Sequence, residues 1–334
     1  MGEFSKIIGD ISDIGLKYHK NNIISNSIKN RDYYERSISD LPDVKNNEKA
    51  VVISAGPSLH RRKTIDLLEK SNFDGVVVTI DGAYVKCLKS GIIPDYVLTL
   101  DPHPKRVVRW FGDPFFEKNQ VNDDYFARQD LDVDFRKNSI EQNLNNIELV
   151  NRYASKSKLI IASTAPSSVV ERVMEAGFDM FWWMPLVDDP NDSDSLTREI
   201  YEATNLPALN TGGNVGTAAW IFAKFWLEIQ KVAVIGMDLG YYKDLPYKMT
   251  QGYYELLKHL GKEKLTGEYF PVMTNPMTNE EFYIDPTYYW YRQNILELIK
   301  NSSTTLYNCT EGGTLYGDGV VNLYLNEFLK KSKC

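Results

Sequence analysis

Two glycine-containing segments carry the clearest potential for chemistry in this 334-residue chain. The first is Gly56-Pro57-Ser58, which follows the apolar run AVVIS. Gly56 lets backbone approach a ligand, Pro57 presets a turn and Ser58 offers a hydroxyl. A helix starting there would aim its unbonded N–H groups at the same point, which suits a phosphate. The same residues equally suit a helix entry with Ser58 as N-cap and no ligand. The second segment is Thr211-Gly212-Gly213-Asn214-Val215-Gly216-Thr217, ahead of AAWIFAKFW. Its glycines, Thr and Asn make a donor-rich helix start, and anion binding is the preferred reading. The alternative for Gly216 is that it lets the helix sit close to a sheet. Neither segment is GxxxxGK[ST] or GxGxxG, so an ordinary P-loop ATPase or NAD dehydrogenase is not expected.

These segments need elements to hold them. From Ala50 onward, short β-branched runs alternate with helical stretches: 50–54, 75–81, 96–101, 158–163, 178–183, 231–237 and 304–308. Helices are expected over roughly 61–71, 83–90, 166–175, 215–227, 287–300 and 319–330. Near-continuous apolar strands alternating with helices predict an α/β fold: a doubly wound, mostly parallel, Rossmann-like sheet with helices on both faces. Small and polar residues gather just after the strands. They are Ser54 to Ser58, Asp81-Gly82-Ala83, Asp101-Pro102-His103-Pro104, Ser163 to Ser167 and Asp238 to Tyr241. In an open parallel sheet those positions share one edge, outside the carboxyl ends of the strands, where ligands bind.

Composition narrows the classes of partner. Asp plus Glu number 45 against 38 Lys plus Arg, a net charge of −7, which argues against coating a nucleic acid polymer. Three cysteines and four scattered histidines give neither a disulfide framework nor a metal-ligand spacing, so no metal residues are assigned. The N-terminal stretch has no signal-peptide pattern and no apolar run approaches the length of a membrane span, so a cytoplasmic protein is expected. Residues 1–47 are read as an N-terminal helical extension, with Phe4, Ile7, Ile8, Ile11, Ile14 and Leu16 as its apolar stripe. Residues 48–334 are read as the main domain, interrupted at about 112–157 by a polar, inserted lid.

Six segments in order, SAGPSL (54–59), DGA (81–83), GIIPDYVLTLDP (91–102), GGNVGTAA (212–219), VIGMDLGY (234–241) and NCTEGGTLYGDG (308–319), resemble the motility accessory factors. That family is sialyltransferase-like and glycosylates flagellin; its superfamily includes archaeal 6-hydroxymethylpterin pyrophosphokinases. The first branch implies transfer of a nonulosonic acid from a CMP-activated donor to a hydroxyl on a protein or glycan. It requires no cofactor. The second implies Mg²⁺ and ATP, with Asp101 and Asp238 as the carboxylates that hold the cation. TEGG at 310–313 and the aromatic run Tyr288 to Tyr291 resemble the glycosyltransferase branch, whereas Met237 and Gly240 depart from its Gln and Ala.

Under the leading resemblance, Asp101, His103, Asp238 and Glu311 are the candidate catalytic residues for taking the acceptor's proton. His103 has the pKa suited to base work near neutrality. Gly56, Pro57, Ser58, Asp81, Gly82, Thr211, Gly212, Gly213, Asn214, Gly216 and Thr217 are the candidate nucleotide-binding residues. Each has a structural alternative: turn acceptors for the aspartates, and a cap of the last helix for Glu311. Arg106 and Arg109 offer a fork for a sugar carboxylate, and the HRRK run at 60–63 could raise the local potential. A non-catalytic nucleotide- or sugar-binding module is the third reading. The aromatic helix offers a site wall or a subunit interface, so a homo-oligomer is among the partners the sequence admits.

Overall fold

The computed structural model describes residues 8, 20–44, 48–103, 105–116, 143–261 and 265–330. The stripe from Phe4 to Leu16, except Ile8, and residues 117–142 of the expected lid lie outside them. Twelve strands occur among the described residues: β1 (Lys49–Ile53), β2 (Val76–Ile80), β3 (Tyr96–Thr99), β4 (Lys158–Ala162), β5 (Asp179–Leu186), β6 (Ala208–Asn210), β7 (Lys231–Ile235), β8 (Tyr241–Tyr242), β9 (Val272–Thr274), β10 (Glu281–Tyr283), β11 (Leu306–Asn308) and β12 (Val320–Asn322). Nine form one sheet in the order β12-β11-β7-β1-β2-β3-β4-β5-β6, and every neighbouring pair is parallel. The chain builds outward from β1 to β6, then crosses back to place β7 on the other flank of β1. The order therefore reverses between β1 and β7, and their carboxyl ends form the switch point of a doubly wound sheet.

The strands are apolar on both faces because both faces are covered. On β4, Ile160 and Ala162 enter one core while Leu159 and Ile161 enter the other. On β5, Phe181 and Trp183 face the first core and Trp182 and Met184 the second. This period-2 division sends every residue of such a strand into apolar surroundings. Each large side chain so buried contributes roughly 1.5–3 kcal/mol.

The helices are α1 (20–29), α2 (Ser58–Arg61), α3 (Thr64–Lys70), α4 (Asp81–Lys89), α5 (Asn143–Tyr153), α6 (Ser167–Ala176), α7 (Leu196–Thr204), α8 (Val215–Ile221), α9 (Gln251–Leu260), α10 (Pro286–Asn301) and α11 (Leu325–Leu329). After Ile221, α8 continues into a π-helical turn, Phe222–Trp226. The helix expected over 319–330 is instead edge strand β12 followed by α11. Val320 and Val321 are β-branched, and Gly319, at φ +78°, turns the chain into the sheet beside β11. Strand β6 and the small antiparallel sheet β8-β10-β9 were not expected from the pattern. Among the described residues no helix is long and apolar enough to cross a membrane.

Candidate active site at the carboxyl edge of the sheet

The loops after β1, β2, β3, β4 and β7 lie on one edge, but they are not equally open. Helix α1 and the 3₁₀ turn that follows it, Asn30–Tyr33, cover the β4 loop through polar groups. Ser27 and Ser163 hydroxyls hydrogen-bond at 3.0 Å, and Asn30 Nδ2 donates to the carbonyls of Ser163 and Ala165 at 2.9 and 2.8 Å. Asn26 Nδ2 donates to Thr164 O at 2.9 Å and to Pro102 O at 3.4 Å.

At the switch point, Asp238 is engaged with the protein itself. Its carboxylate accepts the Ser58 backbone N–H at 3.2 Å and the Ser58 hydroxyl at 2.6 Å. The group that meets the start of α2 is this carboxyl, so Ser58's donors are already occupied. Gly56 is required by the same arrangement, because a Cβ there would overlap Asp238 Oδ2 and the Gly236 carbonyl. Burial pushes the Asp238 carboxyl up to about 7, against the Ser58 bonds and the Arg61 and Arg62 charges, which lower it. Those arginines belong to the HRRK run. Arg61 pairs with Asp244 and lies 4.0 Å over the Tyr242 ring, and Arg62 pairs with Glu280. They fasten α2 to the small sheet.

The Gly212 loop is also closed on itself. The N–H groups of Gly212 and Gly213 are bonded to the side chains of Asn210 and Thr211, and Asn214 caps α8 by accepting from Thr217 N at 2.9 Å. Gly213, at φ +93°, lies so close to α10 that a Cβ would overlap the Trp290 ring. Gly216 takes its packing alternative: a Cβ there would come within 2.8 Å of Ser54 Oγ and 3.3 Å of Met237. The Ser54 hydroxyl, buried beneath this contact, has no hydrogen-bond partner among the described residues. The sequence places Ser54 at the ligand edge but gives it no role of its own, because a serine ending a strand looks like a turn residue.

The ends of β2 and β3 hold the carboxylates best placed for chemistry. Register pairs Ile80 with Leu98, which sets Asp81 beside Thr99 and near Asp101. Asp81 is buried, and its Oδ1 accepts from Gly82 N at 2.6 Å. Burial pushes its carboxyl up to about 7; the Thr99 and Gly82 hydrogen bonds lower it, and the Asp101 charge raises it further. Asp101, half-buried, accepts the His103 backbone N–H at 2.8 Å, and His103 Nδ1 accepts the Lys105 N–H at 3.2 Å. Trp110, also half-buried, borders this pair where its indole approaches Gly82. Its 3₁₀ turn, Val107–Phe111, is fixed from below by buried Arg172, whose Nε donates to the carbonyls of Phe111 and Gly112. Arg109 in that turn is buried, not a solvated surface residue.

Glu311 and Tyr241 take structural roles. Glu311, at φ +56°, accepts from Leu325 N at 2.9 Å and so caps α11. The Tyr241 hydroxyl donates to Asp285 Oδ2 at 2.6 Å and accepts from Gly252 N. That network joins the starts of α9 and α10. Burial raises the Asp285 carboxyl to about 6. The structure thus brings Asp81, Gly82, Asp101 and His103 together, sets Asp238 and Ser58 beside them as a closed pair, and directs Glu311 elsewhere.

The fold is Rossmann-like and doubly wound, and comparison with known proteins meets both branches named from the sequence. Residues 21–111 match the family model described as 6-hydroxymethylpterin diphosphokinase MptE-like. Among solved structures, the chain is similar to the MAf glycosyltransferase from Magnetospirillum magneticum AMB-1, with a TM-score of 0.53 and 13% identity, covering 90% of this chain and 38% of that one. It is also 25% identical over 92 residues to an uncharacterized protein of Treponema pallidum (strain Nichols), covering 27% of this chain and 43% of that protein. The chain spans less than half the length of either.

Proposed function

We propose that this chain is a glycosyltransferase that moves a nonulosonic acid from a CMP-activated donor to a hydroxyl on a protein or glycan. The observation that carries the reading is the Asp81–Asp101 pair at adjacent strand ends, beside the switch point of a fold shared with a glycosyltransferase. A carboxyl held near neutrality by burial is suited to accept a hydroxyl proton. In this scheme the acceptor oxygen attacks the anomeric carbon, the bond to the phosphate oxygen breaks, and the proton passes to the Asp81–Asp101 pair. The departing CMP carries the bonding electrons away on its phosphate oxygen.

The magnesium-dependent diphosphokinase is the second reading, favoured by the family match over 21–111. The side chains fit such a cation poorly. Asp238 is engaged by both donors of Ser58 and is drawn toward its neutral form. The carboxylate that senses Asp101 is Asp81, itself buried and bonded to Gly82 and Thr99.

A thermal-shift panel of CMP, CDP, UDP, GDP, AMP and ATP, each with and without Mg²⁺, tests the choice. A ligand at a hundred times its Kd stabilises the folded chain by about 2.7 kcal/mol. Selective stabilisation by CMP or CDP without Mg²⁺ is the expected result. Selective, Mg²⁺-dependent stabilisation by ATP or AMP would replace this reading with the second.

A further inference from the structure

We propose that Thr164, backed by Asn26 of α1, is a positioning residue that holds Asp101 beside Asp81. The proposal rests on the glycosyltransferase reading, in which that carboxylate pair takes the acceptor's proton. The parallel ladder between β3 and β4 ends at the Thr99–Ile161 pair. Asp101 lies two residues past that end, where the ladder no longer fixes it. Pro102 follows, and a proline has no N–H with which to tie the turn back. The carbonyls on either side of Asp101 are held from other elements instead. Thr164 Oγ1 donates to Leu100 O at 2.9 Å, which extends the link between β3 and β4 beyond the ladder. Asn26 Nδ2 donates to Thr164 O at 2.9 Å and to Pro102 O at 3.4 Å, so one amide group with two hydrogens joins both supports.

Thr164 is itself fixed. It is 1% exposed, and Asn30 Nδ2 donates to the carbonyls on either side of it, those of Ser163 and Ala165. The Ser27 and Ser163 hydroxyls add a bond between α1 and the same loop. The family match begins at residue 21, so it takes in α1 together with the strand ends that carry Asp81 and Asp101. A reacting group displaced by about 1 Å can cost roughly a hundredfold in rate, so a clamp of this kind acts on turnover without touching substrate. It also acts on Asp81. Thr99 and the Gly82 N–H hydrogen-bond to that carboxyl, and Asp101 supplies the charge that raises it. Releasing Asp101 from its place weakens that charge effect, and the Asp81 carboxyl then ionises at lower pH.

Two measurements test this on the full chain. Thr164→Val removes the hydroxyl at nearly constant shape, and Thr164→Ser keeps it. The first measurement is the initial rate of CMP release from a CMP-activated nonulosonate. The second is a ¹³C NMR titration of the Asp81 carboxyl, assigned with Asp81→Asn. Thr164→Val should lose about tenfold or more in kcat with KM within about threefold, whereas Thr164→Ser should keep kcat within about threefold. The Asp81 midpoint should fall in Thr164→Val below its wild-type value of about 7. Asn26→Ala should move both readouts in the same direction, and it carries the test should Thr164→Val not fold. An Asp81 midpoint equal to wild type in both variants overturns the proposal. A Thr164→Ser chain that loses as much activity as Thr164→Val overturns it too. If wild type releases no CMP while the midpoint falls in the variants, the Thr164 assignment stands and the glycosyltransferase reading falls. If there is neither release nor movement of the midpoint, both fall.

Discussion

Replacing Asp81 by Asn should stabilise this protein at alkaline pH while leaving it unchanged under acid. Asp81 is 5% exposed, and its carboxyl is raised from 3.8 to about 7, mainly by burial. Between those values the folded chain holds a proton that the unfolded chain has already released. The folded state binds more protons there, so stability falls as pH rises. The interval from 3.8 to about 7, at roughly 1.4 kcal/mol per pH unit, amounts to about 4 kcal/mol. Asn cannot ionise, yet its Oδ1 can keep the 2.6 Å bond from Gly82 N. Urea denaturation of both proteins at several pH values reads the difference directly. The variant should match wild type near pH 4 and exceed it by up to about 4 kcal/mol at pH 8. Asp238 and Asp285 titrate in the same window in both proteins and cancel in the comparison. Parallel pH curves for the two proteins, or a variant less stable at pH 8, would refute the reasoning.

Three further substitutions separate structure from site. Glu311→Ala removes the cap on Leu325 N; it should cost about 1 kcal/mol in denaturation and leave nucleotide binding within twofold. A tenfold loss of binding would return Glu311 to the site. Gly213→Ala forces a side chain at φ +93° into Trp290 and should cost about 2–4 kcal/mol, so a loss under 0.5 kcal/mol would show that the loop yields freely. Arg172→Met leaves the Phe111 and Gly112 carbonyls without their donor. It should cost about 3 kcal/mol and shift the Trp110 environment, read by fluorescence against a Trp110→Phe control.

Much of the fold was legible because strands covered on both faces are apolar without interruption. Seven runs, from AVVIS to TTLYN, correspond to β1, β2, β3, β4, β5, β7 and β11. Strands β6 and β12 were missed because three residues carry too little pattern, and β12 depends on its neighbour β11 for pairing. The glycines were recognised as special, but their reasons were not visible. Gly56 yields to Asp238, 182 positions away in sequence, and Gly213 yields to Trp290. Only the folded chain brings such pairs together. Asn26, Ser27 and Asn30 fall in the stretch read only as an N-terminal helical extension, yet their polar atoms dock it on the β4 loop and reach the Pro102 carbonyl next to Asp101. Buried polar docking leaves no hydrophobic periodicity to detect.

The most direct test of the central claim is CMP release. The full chain would be incubated with a CMP-activated nonulosonate and excess EDTA, and free CMP followed over time with wild type and Asp101→Asn. The account predicts turnover with wild type that is unaffected by EDTA and is at least a hundredfold slower in the variant, a loss in the range typical of a positioned base. No CMP release from wild type, together with Mg²⁺-dependent consumption of ATP, would contradict it.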